Sequence, residues 1–309
     1  MRMAAFRGWW GLVVVGACGR VEAPVAPVQA QASARVTVAQ RLTLSLPGTA
    51  GVSGSAVDAQ GRLFAVAERQ AFLLPLKLAG VSPGLAEAKV PIVGIPEGFD
   101  TESLAFVRPD LLAIGTETWE EGRSEDAVLL ASLALGRVTV TDRLSIHYAD
   151  FGLDVEDNQG LEGLCSAGET LVAALETPLE SPRGRFAALF RAALAERLWQ
   201  VTRLRLTTST GKISALDCRA DADGLQVIAI ERHYGVAKLL LFHLPTGALP
   251  SEVEPQVVAD LDALIDELPN LEGVTFAGAG QVVLLVDNDS GGITGPNEAI
   301  VVQGVWNAP

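Results

Sequence analysis

Short apolar runs separated by polar turns recur along the chain. Five segments share one layout, at intervals of roughly 50 to 60 residues: an apolar strand, a polar turn, and a second apolar strand that ends in an acid. Turns such as Asp223-Gly224 are typical of antiparallel hairpins. The acids that end the second strands are Glu68, Glu117, Glu176, Glu231 and Asp287.

This repeat predicts an all-β fold, a β-propeller. A four-stranded blade cannot bury both of its faces alone, whereas a ring of blades can. Five blades are recognisable within residues 36–309, and a sixth, degenerate blade near residues 137–152 is the alternative. The strand over residues 36–46 is expected to close the ring against residues 299–305.

Two segments have apolar positions at helical spacing. One runs from Phe186 to Leu198, and the other follows Asp260 and ends before Pro269. We interpret both as short helices that pack on the propeller rim.

The first residues are typical of an export signal. Arg2 and Arg7 precede an apolar run over residues 8–17, and residues 15–18 resemble a lipobox, which predicts lipid on Cys18. Residues 19–35 are rich in Pro and Ala, as in a tether. The expected location is the periplasm-facing or outer membrane of a bacterium. An ordinary signal peptide cut near residues 30–34, which gives a secreted or periplasmic protein, is the alternative.

The excess of acidic over basic residues limits the classes of partner that the protein is expected to bind. The chain has 23 Lys and Arg against 37 Asp and Glu, a net charge of −14, which argues against binding to nucleic acid. No later apolar run is long enough to cross a bilayer, so the membrane is expected to be reached through the lipid alone. The expected partner is a small-molecule substrate or ligand, and the sequence does not indicate an oligomeric state.

Two cysteines remain after processing, Cys165 and Cys218, just inside the first strands of consecutive repeats. Export into an oxidising compartment favours a disulfide between them, and two buried thiols are the alternative.

Acidic residues are expected to meet at one mouth of the central channel. First strands line the axis, and each hairpin returns the second strand to the end where the first began. Carboxylates that meet there require a cation, a buried basic side chain or a raised pKa. Ca²⁺ is the expected cofactor because it takes six to eight oxygen ligands. A ring of salt-bridged structural acids is the alternative. The residues that start the first strands are Ser53, Glu102, Glu162, Ser214 and Glu272.

The charged residues at this mouth are given expected roles in catalysis and metal binding. Glu231 or Glu117 would position water, Arg232 would contact an anionic group, and His233 lies beside them in sequence. No Gly-x-Ser-x-Gly motif and no zinc-type histidine spacing is present. The expected metal ligands are Glu162, Glu176, Glu272 and Asp287, with Glu68 and Glu102 also at the channel mouth.

Four pieces of the sequence share a recognisable pattern, and they are residues 158–164, residues 174–179, residues 213–216 with 228–232, and residues 270–274 with 284–289. Together they resemble the phytase-like domain family described as "esterase-like activity of phytase". The resemblance implies an exported propeller with an acidic site. Ser103 departs from the pattern where a Gly would follow Glu102, and Ser53 and Ser214 stand where acids are expected.

Three functions fit these residues. The first is a metal-assisted hydrolase of phosphate or carboxylate esters, in which the cation offsets the charge of an anionic substrate. The second is a non-catalytic propeller that displays a ligand- or protein-binding face on a lipid anchor. The third is a lactonase-like propeller that depends on Ca²⁺.

Overall fold

A computed structural model describes residues 35–49, 51–68, 70–79, 83–118, 122–155, 159–278, 280–287 and 295–306. The predicted export signal, the predicted lipobox at Cys18 and nearly all of the predicted tether lie outside the described residues. Within the described residues, no helix is long and apolar enough to cross a membrane.

The chain alternates short strands with tight turns, and almost every strand is followed by an antiparallel partner. The strands are β1 (Thr37–Thr43), β2 (Val52–Val57), β3 (Leu63–Ala67), β4 (Phe72–Lys77), β5 (Gly84–Leu85), β6 (Val90–Val93), β7 (Phe99–Arg108), β8 (Leu111–Thr118), β9 (Glu125–Ala134), β10 (Arg137–His147), β11 (Gly163–Ala167), β12 (Thr170–Ser181), β13 (Gly184–Ala193), β14 (Gln200–Arg205), β15 (Lys212–Ala220), β16 (Gly224–His233), β17 (Val236–Pro245), β18 (Glu252–Val253), β19 (Gln256–Asp260), β20 (Leu271–Phe276), β21 (Gln281–Val286) and β22 (Glu298–Gln303).

Twenty of these strands form five four-stranded blades, while β5 pairs with β4 and β18 pairs with β14. In order from the axis outwards, the blades are β2-β3-β4-β6, β7-β8-β9-β10, β11-β12-β13-β14, β15-β16-β17-β19 and β20-β21-β22-β1. Each inner strand contacts the inner strand of the next blade, and β20 contacts β2, so the ring closes after five blades. The five blades and their packed faces confirm the predicted propeller.

The first strand of the chain closes the ring, as expected. β1 pairs antiparallel with β22 and forms the outer strand of the fifth blade. Arg41 of β1 forms an ion pair with Glu298 at 2.7 Å and donates to the carbonyl of Asp266 at 2.9 Å. The fifth blade therefore joins the two ends of the propeller domain.

Two predicted features are wrong. Residues 137–147 are not a sixth blade, because they form β10, which pairs along its length with β9 as the outer strand of blade two. The segment from Phe186 to Leu198 is not a helix, because it forms β13 and a following turn. β13 is buried on both faces between neighbouring strands and blades, so its apolar residues do not alternate. The expected helix after Asp260 is present as α1 (Leu261–Leu264).

The inner strands pack so closely that a side chain is excluded at several positions. A Cβ atom on Gly54 would lie 2.4 Å from Cα of Ser103, and one on Gly163 would lie 2.6 Å from Cγ of Leu216. The glycine after Glu162 therefore permits the inner strands of blades three and four to touch.

Polar side chains join neighbouring inner strands at four of the five blade junctions. At the remaining junction, between blades three and four, Cys165 and Cys218 form a disulfide with a Cα–Cα distance of 5.5 Å. The hydroxyl contacts are Ser53 to the carbonyl of Glu102, Ser103 to the carbonyl of Leu161 at 2.7 Å, Ser214 to the carbonyl of Leu271 at 2.8 Å, and Thr275 with Ser55 at 2.6 Å.

Loss of this disulfide should destabilise the propeller. The double variant Cys165→Ala/Cys218→Ala removes a cross-link between residues that are 53 positions apart in the sequence. We expect its free energy of unfolding to fall by roughly 2–5 kcal/mol, measured by denaturant titration. A reducing agent should produce a similar loss in the parent and no further loss in the variant. Equal stability of oxidised parent and variant would contradict this assignment.

Candidate functional site

A polar cavity of about 400 Å³ lies at the end of the axis where the inner strands begin. Seven carboxylates line it, together with basic, amide and hydroxyl side chains. The lining residues are Ser53, Glu68, Glu102, Glu117, Gln159, Glu162, Glu176, Lys212, Arg232, His233, Tyr234, Asn270, Glu272 and Asp287.

Strand pairing explains why these residues converge. Leu271 at the start of β20 pairs with Val286 at the end of β21, so Glu272 and Asp287 follow at the same end of the blade. The register shifts at Glu272, and β7 shifts in the same way at Glu102. Such β-bulges leave a residue outside the regular ladder and re-aim its side chain. Eight of the ten predicted strand-start and strand-end residues line the cavity, whereas Ser214 and Glu231 do not.

The predicted role of Glu231 is wrong. Ile213 pairs with Glu231, so Glu231 occupies the place that Val286 holds in the fifth blade, and Arg232 occupies the place of Asp287. Glu231 is fully buried and does not line the cavity. Its carboxylate accepts hydrogen bonds of 2.6–2.9 Å from the backbone N–H and hydroxyl groups of Thr207 and Thr208. Glu231 therefore anchors the loop before β15.

Blade four gives the cavity its positive side. Arg232 forms an ion pair with Glu272 and donates from Nε to the carbonyl of Leu271 at 2.8 Å. Asn270 donates to the same carboxylate at 2.8 Å. Lys212 and His233 also line the cavity, so the predicted Arg232 and His233 are brought to the acids.

Burial and like charge disfavour ionisation of the acids. Burial, then the charges of Glu68 and Glu117, hold the pKa of Glu102 well above its usual range. Burial likewise raises the pKa of Glu162 well above its usual range, and its neighbours Glu102 and Glu176 add to the effect.

Basic partners only partly offset this effect at two other acids. Burial raises the pKa of Glu272 to about 7, although Arg232 opposes the shift. Burial also raises the pKa of Glu117 to about 7 against the opposing contacts of Arg123. A carboxylate cavity of this kind is stabilised by a positive ligand.

A buried network behind Glu117 was not predicted from the sequence. Arg123 donates from Nη1 to Glu117 Oε1 and to the carbonyl of Thr118, each at 3.0 Å. Asp126 accepts from the Thr118 N–H at 2.8 Å and from the Tyr148 hydroxyl. Burial raises the pKa of Asp126 to about 6, although Arg123 opposes the shift. Arg123 has no counterpart in the repeat, so no sequence signal indicated it.

Two buried carboxylate oxygens indicate a missing positive partner. Glu102 Oε1 and Glu272 Oε2 are buried and have no hydrogen-bond partner. Unsatisfied buried polar atoms are rare and costly, because water no longer solvates them. Both atoms belong to side chains that line the cavity, and an oxygen-rich donor set suits a hard cation such as Ca²⁺. The residues present therefore fit the expected cofactor.

The tightest acidic group is not the predicted one. Among the described residues, ligand oxygens of Glu68, Asp100 and Glu102 all lie within 4.8 Å of one another. A second such group, Asp221, Asp223 and His243, is exposed near the β15–β16 hairpin. The four predicted ligands form neither group. Glu162, Glu176, Glu272 and Asp287 instead surround a wider part of the cavity.

Sequence reasoning also missed four residues at or beside the cavity. Asn270 lies two residues before Glu272, and Gln159 lies three residues before Glu162. That spacing is the signal that could have indicated them. Tyr234 is 80% exposed at the β16–β17 turn, and its ring lies 5.1 Å from that of His233. Asp100 stands opposite Glu117 in the β7–β8 ladder.

The fold and the cavity define a five-bladed β-propeller with an acidic axial site. A sequence model of the family described as "Phytase-like: Esterase-like activity of phytase" matches residues 29–290. The chain belongs to this family, which confirms the resemblance inferred from its motifs.

Two solved structures are similar to this chain at low identity. The PQQ-bound aldose sugar dehydrogenase from Streptomyces coelicolor is 10% identical, with a TM-score of 0.49 over 87% of this chain and 97% of that chain. A protein of unknown function from Dyadobacter fermentans is 7% identical, with a TM-score of 0.48 over 87% and 99% of the two chains. No curated protein matches the sequence. None of these structures carries an inference about function.

Glu231 should behave as a structural residue. Glu231→Gln replaces a buried carboxylate that accepts four hydrogen bonds, so we expect the free energy of unfolding to fall by about 3 kcal/mol. Ca²⁺ affinity, measured by calorimetry, should stay unchanged. Glu180→Gln on the surface is the matched control, with little effect on stability. If Glu231→Gln lost Ca²⁺ binding but kept the stability of the parent, Glu231 would instead belong to the cation site.

Proposed function

We propose that this protein is a divalent-cation-dependent hydrolase of phosphate or carboxylate esters, with the acidic cavity as its active site. The observation that carries the proposal is the composition of that cavity. Seven carboxylates and the basic residues of blade four line this cavity of about 400 Å³, and Glu272 Oε2 is buried there without a hydrogen-bond partner. The family description, which names an esterase-like activity, supports the same class of reaction.

The cation-binding residues in this proposal are Glu162, Glu176, Glu272 and Asp287. All four line the cavity, and electrostatic interactions connect Glu272 with Glu176 and Asp287, and Glu162 with Glu176 and Glu272. When bound, Ca²⁺ would offset the negative charge and polarise an ester oxygen. Glu272 Oε2 has no hydrogen-bond partner, whereas Oε1 of the same carboxylate accepts from Arg232 and Asn270.

Blade four would orient the anionic part of the substrate. Arg232 is held in place by Glu272 and by the carbonyl of Leu271. Lys212 forms no ion pair with the described residues, so its ammonium group is available to an anion in the cavity. His233 and the exposed ring of Tyr234 extend this side to the rim.

Glu117 would position and deprotonate the attacking water. It is the remaining candidate because Glu231 is outside the cavity. Arg123 fixes one of its oxygens, and its side chain still lines the cavity. A carboxylate held in this way can accept a proton from water while it keeps its orientation.

Hydrolysis should depend on the cation. Purified protein stripped with chelator should not turn over phosphate esters, carboxylate esters or lactones, and added Ca²⁺ should restore activity towards the preferred class. Asp287→Asn removes a ligand charge but keeps an oxygen, so the Ca²⁺ concentration required should rise about tenfold. Binding of a ligand without turnover of any of these substrates would favour a non-catalytic propeller.

Glu117 should affect turnover more than cation binding. Glu117→Gln keeps the shape of the side chain but removes its basicity, so kcat should fall by roughly a hundredfold or more. The Kd for Ca²⁺, measured by calorimetry, should change little. Arg123→Lys keeps a positive charge beside Glu117 and should retain more activity than Arg123→Ala. Parental kcat in Glu117→Gln would exclude this role.

A further inference from the structure

Glu68, Asp100 and Glu102 form a compact acidic group at the junction of blades one and two. Glu68 directly follows β3, whereas Asp100 and Glu102 belong to β7. One carboxylate oxygen from each residue lies within 4.8 Å of the others. Oxygens that share one Ca²⁺, each at 2.3–2.6 Å, are separated by at most about 5 Å. The group therefore has the spacing of a single coordination shell.

The backbone and a neighbouring hydroxyl hold this group in place. The carbonyl of Glu68 accepts hydrogen bonds from the N–H and the hydroxyl of Thr101, each at 3.2 Å. The Ser53 hydroxyl, which donates mainly to the carbonyl of Glu102, also lies 3.2 Å from Glu102 Oε2. Asp100 and Glu102 flank Thr101 in sequence, so these contacts fix the strand that carries two of the three carboxylates.

An independent observation points to a ligand. The side chain of Glu102 is only 4% exposed, and its second oxygen, Oε1, is buried without a hydrogen-bond partner. Ser53 satisfies Oε2 alone. A buried carboxylate oxygen beside two other carboxylates is stabilised by a cation and destabilised by its absence.

We propose that Glu68, Asp100 and Glu102 bind a second divalent cation, Ca²⁺, in addition to the catalytic cation of the proposed hydrolase, at one side of the cavity that Glu68 and Glu102 also line. The donor set consists of carboxylate oxygens, which suit hard cations, and it has no His or Cys ligand of the kind that zinc prefers. None of its three residues belongs to the proposed catalytic set. A cation there joins blade one to blade two, and this inference does not depend on hydrolytic activity.

Calorimetric titration of Ca²⁺ into chelator-stripped, full-length protein tests the site. We expect two binding events in the parent. Asp100→Asn should abolish one of them or weaken its Kd at least tenfold, because Asp100 belongs to this group but does not line the cavity. Asp110→Asn, which changes an exposed acid at the other end of the same strand, is the matched control and should keep both events.

Two further variants separate this site from the proposed hydrolase. Glu68→Gln provides a second probe of the group if Asp100→Asn fails to fold, as judged by circular dichroism in chelator. Glu176→Gln should remove the catalytic cation and leave the other binding event. Crystals soaked in Tb³⁺ should give an anomalous peak among Glu68, Asp100 and Glu102.

Defined outcomes overturn the inference. The inference is wrong if folded Asp100→Asn and Glu68→Gln bind as many Ca²⁺ ions as the parent. It is also wrong if the parent shows a single binding event that Glu176→Gln alone removes. One event that only Asp100→Asn removes would support this site and refute the catalytic ligand set. Two events without hydrolysis of any ester or lactone would support this site and refute the hydrolase.

Discussion

Electrostatic repulsion at the axis is the constraint on which the rest of the structure depends. Closure of five blades places four second-strand acids in one cavity, and three inner strands add a glutamate each. Burial raises the pKa of Glu102 and Glu162, so packing holds these groups together against their own preference for water. The apolar contacts between blades, with the disulfide and the hydroxyl bonds of the inner strands, supply that packing energy.

Blade four breaks the symmetry of the ring and gives the cavity a direction. It places Ser214 where three blades carry Glu, and Arg232 where the other four carry an acid. Its own acid, Glu231, lies one position earlier and accepts hydrogen bonds from the loop before β15. An anion can therefore enter on one side of a site whose other sides repel it.

The sequence indicated the propeller, the closing strand and the acidic cavity because repeats and strand-end acids are local patterns. It failed where pairing across strands decides the outcome. Nothing local distinguishes Glu231 from Arg232, because a bulge between Ile213 and Ala215 sets which of them reaches the axis. β13 was predicted as a helix because burial on both faces removes the alternation that indicates a strand. Arg123 and Asp100 lie outside the repeat pattern.

The contacts that join neighbouring blades involve the same side chains that line the cavity. The Ser53 hydroxyl that joins blades one and two also contacts the Glu102 carboxylate. Arg232 joins blades four and five through the carbonyl of Leu271 while it pairs with Glu272. A cation that binds the native cavity, and not the unfolded chain, stabilises the ring in proportion to the logarithm of its concentration. Acids that destabilise the propeller on their own would therefore make its stability depend on the concentration of any cation that binds this cavity.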